Sequence, residues 1–265
     1  MPPRSATPPP TKSARKGVSR VISRSGACSR SEAARWVLEG RVAVDGRVVD
    51  DPDHPVRVGH DSVSVDGRPI GVAPRVCIML NKPRGLVTSA SDEQGRDTVY
   101  SCIADAQLGW LAPVGRLDRA SEGLLLMSND PQWAAGITDP VGGLEKTYHV
   151  QVDALPDETM LAALARGACE RGEPLQARSV ALLRHGRSSA WLEVVLDEGR
   201  NRHIRRLMKA HGLEVRRLVR VAIGGLRLGT LSKGAWRHLS ASEIDALVPG
   251  GGPGDDGRGT REVGS

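Results

Sequence analysis

Asp118 is the charged residue of this chain best placed to do chemistry. It lies between Arg116 and Arg119 in Gly115-Arg116-Leu117-Asp118-Arg119-Ala120-Ser121-Glu122-Gly123, just ahead of the apolar run Leu124 to Met127. Guanidinium groups beside a carboxylate favour its charged form, even when it is partly withdrawn from water. Held in that state, a carboxylate can serve as a nucleophile or a base.

A second concentration of charge follows at Asp197-Glu198-Gly199-Arg200-Asn201-Arg202-His203-Ile204-Arg205-Arg206-Leu207-Met208-Lys209. Ile204, Leu207 and Met208 share one helical face and should pack inward, leaving Arg202, Arg205, Arg206 and Lys209 around the rest. Gly212 is the expected stop. Taken alone, this pattern better describes a solvated helix face, and only its pairing with the Asp118 stretch favours a site. Tyr148, in Glu145-Lys146-Thr147-Tyr148-His149-Val150, is one of two tyrosines in a chain without phenylalanine. An aromatic ring can stack on any nucleobase, because every base has a π-face. A core tyrosine would show the same local pattern.

The totals suit this chemistry without proving it. The chain has 265 residues, enough for one large domain or two ordinary ones. Its formal net charge is +6 and its pI about 9.5. Such a balance fits a polyanionic partner, since released counterions favour binding of Lys and Arg to phosphates. A merely soluble basic protein has the same totals. No run of about 18 apolar residues occurs, so no membrane span is expected. The N-terminus lacks the apolar core of a secretory signal. Cys28, Cys77, Cys102 and Cys169 form no CxxC pair, which argues against a metal centre or a disulfide framework. With the missing signal, they point to the reducing cytoplasm.

Four segments separate by composition. Residues 1–17 are proline-rich, carry Arg4, Lys12, Arg15 and Lys16 and no acid, and read as a disordered basic arm. A compact segment spans 18–70, a larger one 76–248, and a glycine-rich tail, expected to be disordered, spans 249–265. The compact segment reads as two short helices, the second opened by the capping box Ser29-Arg30-Ser31-Glu32 and burying Ala33, Trp36 and Val37. Short strands with Asp45-Gly46 and Asp66-Gly67 turns follow. In the larger segment, Val76 to Leu80 and Gly123 to Met127 read as buried strands, and Asn81 to Gly85 as a turn. Asn129-Asp130-Pro131 reads as a helix start. Lys146 to Asp153 alternates as a strand, Leu161 and Leu164 lie on a short helix, and Val180–Leu183 pairs with Trp191–Leu196.

These motifs resemble those of the RsuA/RluB type of pseudouridine synthase, over most of the chain from about Val18 to Val248. The stretch around Asp118 is similar to that family's catalytic motif, and Glu145 to Val150 to its Lys-x-Tyr strand. Asp197 to Lys209, Leu80 to Gly85 and Gly234 to Leu239 resemble further motifs, although His203 stands where glutamine is common and Ser121 where threonine is common. Val18 to Val49 resembles the S-four RNA-binding module. The resemblance implies an α+β protein: a small S-four-like module followed by a mixed, largely antiparallel sheet. It implies conversion of uridine to pseudouridine in ribosomal RNA, of the large subunit or alternatively the small, with no cofactor. It assigns catalysis to Asp118, an ion pair with Asp118 to Arg205, and packing on the base to Tyr148. RNA phosphates would meet Arg20, Arg24, Arg30, Arg35 and Arg41 in the module, and Arg116 and Arg202 near the site. Two rivals compete: a non-catalytic RNA-binding ribosome assembly factor, and a hydrolase using Asp118 as a base. The second lacks a partner carboxylate motif or a metal-ligand cluster.

Overall fold

The computed structural model describes residues 15–71, 73–139 and 143–248. They divide into two compact units, the first holding residues up to 75 together with 108–111, the second the remainder.

In the first unit, β1 (Arg15–Gly17), α1 (Val18–Arg24), α2 (Arg30–Leu38), β2 (Val42–Val44), β3 (Arg47–Val48), β4 (Pro55–Arg57), β5 (Val63–Val65) and β6 (Arg68–Pro69) follow in order. Four strands form an antiparallel sheet in the order β3-β2-β5-β6, and β1 pairs separately with β4. Strand β1 was expected to belong to the disordered arm. Its order comes from backbone pairing with β4, which leaves no trace in the side-chain pattern; residues 1–14 of the arm and the tail from 249 lie outside the described residues. Both Asp-Gly turns adopt positive φ at both central residues (49° and 79° at Asp45 and Gly46, 49° and 75° at Asp66 and Gly67). That twist matches the flanking strands. The Ser29 hydroxyl caps α2 by accepting from the Glu32 amide at 3.1 Å. The box does not close, because the Glu32 carboxylate accepts from Trp36 Nε1 at 2.9 Å and pairs with Arg35. Val18, Ile22, Ala33, Val37, Val42, Val44 and Val63 make the core, with Trp36 only partly buried against it.

The second unit contains β7 (Cys77–Lys82), a short 3-10 helix (Val99–Ile103), β8 (Ala112–Val114), β9 (Glu122–Ser128), α3 (Pro131–Thr138), β10 (Lys146–Val152), α4 (Glu158–Arg166), β11 (Ala168–Glu170), β12 (Glu173–Leu175), β13 (Ser179–His185), β14 (Ala190–Leu196), α5 (His203–Ala210), β15 (Val215–Ile223), β16 (Leu226–Arg227), β17 (Trp236–His238) and α6 (Ala241–Ala246). The described residues form a nine-stranded sheet ordered β13-β14-β10-β15-β9-β7-β17, with β16 on β15 and β8 on β9. Only the β15–β9 pair is parallel, so the sheet is mixed and largely antiparallel.

All seven residues of β9 and all six of β7 are buried, which explains their continuous apolar runs. Asn81 and Lys82, expected in a turn, complete β7 inside the core; Lys82 is 0 % exposed. Gly123 has φ +101°, and a Cβ there would stand 2.2 Å from the Arg220 carbonyl oxygen. Only glycine lets β9 and β15 come this close. Helix α3 starts as expected, with Asp130 capping Gln132 and Trp133 ahead of Pro131.

Candidate active site

The Asp118 loop connects β8 to β9 and is fastened from four directions. The Lys82 ammonium donates to the carbonyls of Ser121 (2.8 Å), Pro83 (3.1 Å) and Asp118 itself (3.3 Å). The Thr88 hydroxyl donates to Leu117 O at 2.7 Å, and the Gly85 amide to Arg119 O at 2.7 Å. Arg205 of α5 donates to Ala120 O at 3.1 Å and to Val215 O at 3.1 Å. Burial pushes the Lys82 ammonium down to about 8, while the charges of Asp118 and Glu122 oppose that shift. The main-chain atoms around Asp118 are therefore set by the fold rather than by local sequence.

The ion pair expected between Asp118 and Arg205 is not formed. Arg202 Nη1 instead lies 3.8 Å from Asp118 Oδ2. Arg205 is committed to two carbonyls, and its Nε is buried without a partner. It acts on the Asp118 loop through Ala120, and burial lowers its pKa first, ahead of the charge of Arg202. The backbone explains the exchange. Arg202 caps α5 in the left-handed conformation (φ 50°), which turns it out of the helical row.

A cavity of about 570 Å³ collects the key side chains: Arg116, Asp118, Lys146, Tyr148, Arg202, His203 and Arg220 line it. Tyr148 is buried on β10, directly opposite Val194 of β14 and Arg220 of β15. Arg116 is exposed at the cavity. His203 is buried, with Nδ1 3.3 Å from Glu198 Oε1 but outside hydrogen-bond geometry; burial lowers its pKa. Burial also lowers that of Lys146, and the neighbouring Arg220 charge adds to the effect. Lys82, Lys146 and Arg220 were not singled out from sequence. Lys146 was within reach of such reasoning, two residues before Tyr148 on the same strand face; the other two contact residues 36 to 96 positions away.

The arginines proposed in the first unit differ from one another. Arg30 reaches Asp53 at 3.5 Å, Arg35 pairs with Glu32 and Glu39, and Arg41 pairs with Asp66 (2.6 Å) and Glu39 (3.3 Å) while lying over the Trp36 ring. The expected face with few acids is thus largely neutralised. Arg20 and Arg24, both on α1, have no carboxylate partner among the described residues.

Residues 76–210 match the family model described as RNA pseudouridylate synthase. That span exceeds half of the chain and contains Asp118, Tyr148, Arg202 and Arg205. The chain belongs to the RNA pseudouridylate synthase family. It is therefore an isomerase. Residues 18–63 match the S-four domain model, so the first unit is an S-four domain. The chain is 35 % identical to an uncharacterized RNA pseudouridine synthase of Aquifex aeolicus (strain VF5), over 87 % of this chain and 92 % of that one. It is 34 % identical to the ribosomal large subunit pseudouridine synthase B of Bacillus subtilis (strain 168), over 86 % and 93 % respectively. A crystal structure of a pseudouridylate synthase matches with a TM-score of 0.63 at 30 % identity, covering 89 % of this chain and all of that one.

Proposed function

We propose that this synthase converts a specific uridine of ribosomal RNA, in the large subunit, to pseudouridine, with Asp118 as the catalytic group. The observation that carries the reading is the single cavity that Asp118 and Tyr148 share, of a size that holds a nucleoside. A uridine within folded RNA must leave its stack to enter such a cavity. Its base then packs on Tyr148 and its ribose meets Asp118, which attacks C1′ or removes a C2′ proton. Arg202 faces the Asp118 carboxylate and offsets its loss of hydration as water leaves. Arg205 positions the loop through Ala120 rather than touching the substrate. Arg116 meets a neighbouring phosphate, and the S-four domain adds phosphate contacts through Arg20 and Arg24. The large subunit is favoured because the Bacillus subtilis relative carries that name at 34 % identity over most of both chains. A ribosomal substrate places the work in the cytoplasm.

The test maps pseudouridines in total ribosomal RNA from cells with and without this protein. One site should vanish in its absence, return with the wild-type chain, and stay absent with Asp118→Asn, while RNA binding is kept. Unchanged modification with Asp118→Asn supports the rival reading, a non-catalytic RNA-binding assembly factor.

A further inference from the structure

Arg220 is a buried cation that the reading above does not use. It is 4 % exposed, yet it lines the cavity beside Tyr148, its direct neighbour across the β10–β15 pair. Side chains directly opposite on paired strands share one face of the sheet. Its Nε donates to Leu124 O at 2.8 Å, which fixes the guanidinium plane, while Nη2 has no partner. The close approach of Gly123 to the Arg220 backbone fixes the strand that carries it. Lys146 lines the same cavity near enough for the Arg220 charge to weaken its hold on a proton. Two neighbouring cations, one with an unmatched buried donor, call for an acceptor-rich partner.

On the proposed function, that partner is the base. Uracil offers two carbonyl acceptors, O2 and O4, where cytosine carries an amino donor in place of O4. When the C1′–N1 bond breaks, its electron pair stays with the base and the negative charge spreads onto both oxygens. The base then turns about the axis through N3 and C6, and C5 bonds to C1′ as the Asp118–C1′ bond breaks or, on the other route, as the C2′ proton returns; the C5 proton leaves and N1 takes up a proton. That turn exchanges the positions of O2 and O4, so one fixed donor can serve before and after it.

We infer that Arg220 donates to a uracil carbonyl oxygen and holds the base more tightly as charge develops on it. This inference rests on the proposed function. An interaction that strengthens in the transition state shows in kcat rather than in KM.

The test uses the full chain and RNA carrying uridine, 2-thiouridine or 4-thiouridine at the target, since sulfur is a weaker acceptor than oxygen. For the wild type, one thio substitution should lower kcat, and the position that does so identifies the oxygen held at the start. Arg220→Met should lower kcat on uridine RNA by about 10²- to 10³-fold with KM changed only a few-fold. It should also lose the difference between uridine and that thio substrate. Arg220→Lys, which keeps the charge, should fall between the two and decides the case if Arg220→Met fails to fold. Wild-type kcat in either folded variant, or a thio effect of wild-type size in either, overturns the inference. A wild-type protein that makes no pseudouridine defeats the proposed function instead.

Discussion

The carboxylate-paired arginines of the S-four domain and the buried arginines around the Asp118 loop and its cavity are tied down in opposite ways. Arg35 and Arg41 face carboxylates a few residues away or across a short sheet. Arg205 and Arg220 are held by carbonyl oxygens of Ala120, Val215 and Leu124, and Arg202 stands 3.8 Å from a carboxylate without a hydrogen bond. A guanidinium matched to a carboxylate has little field left for a phosphate or a base. One held by neutral carbonyls is fixed in place and keeps its charge. Counting arginines therefore overstates the RNA-binding capacity of the first unit and understates the specialisation of the second.

The widest gap between the two regions should appear with Asp118→Asn. Turnover on substrate RNA should fall on the order of 10⁴-fold, with RNA affinity within a factor of about two of wild type. A matching drop in affinity would move Asp118 from chemistry to binding.

Lys82→Met should come next. It leaves the carbonyls of Ser121, Pro83 and Asp118 without their buried donor, at about 2 kcal/mol of stability in chemical denaturation. It should also blur the Asp118 loop and lower kcat. The sign of its pH dependence follows from burial. The folded-state pKa of Lys82, about 8, lies below its ordinary value of 10.5, so between these values the unfolded chain binds more protons. Wild-type stability relative to Lys82→Met should rise from pH 8 to 10.5. A flat difference would show that Lys82 is not strained by burial.

The smallest effects belong to the S-four domain. Arg20→Ala and Arg24→Ala should each weaken RNA binding a few-fold and reduce the salt slope by about 1. Arg35→Ala should change affinity less than either, and stability by less than about 0.5 kcal/mol, because exposed ion pairs contribute little. Equal effects from all three would erase the distinction drawn between paired and unpaired arginines.

Sequence reading succeeded where short-range rules govern. The apolar runs of β7 and β9, the alternation of β10, the amphipathic α5 and the two Asp-Gly turns follow from period and turn chemistry. Asp118 stood out by type and setting, whereas Tyr148 was singled out only by the resemblance of its strand to the family's Lys-x-Tyr motif. Strand β15 did not, because Arg216, Arg217 and Arg220 interrupt its pattern; Arg217 is matched by Glu122, which lies 95 positions away. Lys82 read as part of a turn because lysine is seldom fully buried. Its burial depends on three carbonyls, two of which the fold brings from more than thirty residues downstream. Arg202 and Arg205 were exchanged for a different reason. They lie one turn apart, and only the left-handed backbone at Arg202 decides which faces Asp118. The complete capping box also lay elsewhere, at Ser240 and Glu243 of α6, because Glu32 is drawn to Trp36 and Arg35.

The most direct measurement is a structure of the Asp118→Asn chain bound to its ribosomal RNA substrate. One uridine is expected turned out of its stack, its base against Tyr148 and C1′ and C2′ of its ribose at residue 118. A target uridine still stacked within its RNA, with the cavity closed to it, would show that catalysis at Asp118 does not proceed through a flipped base.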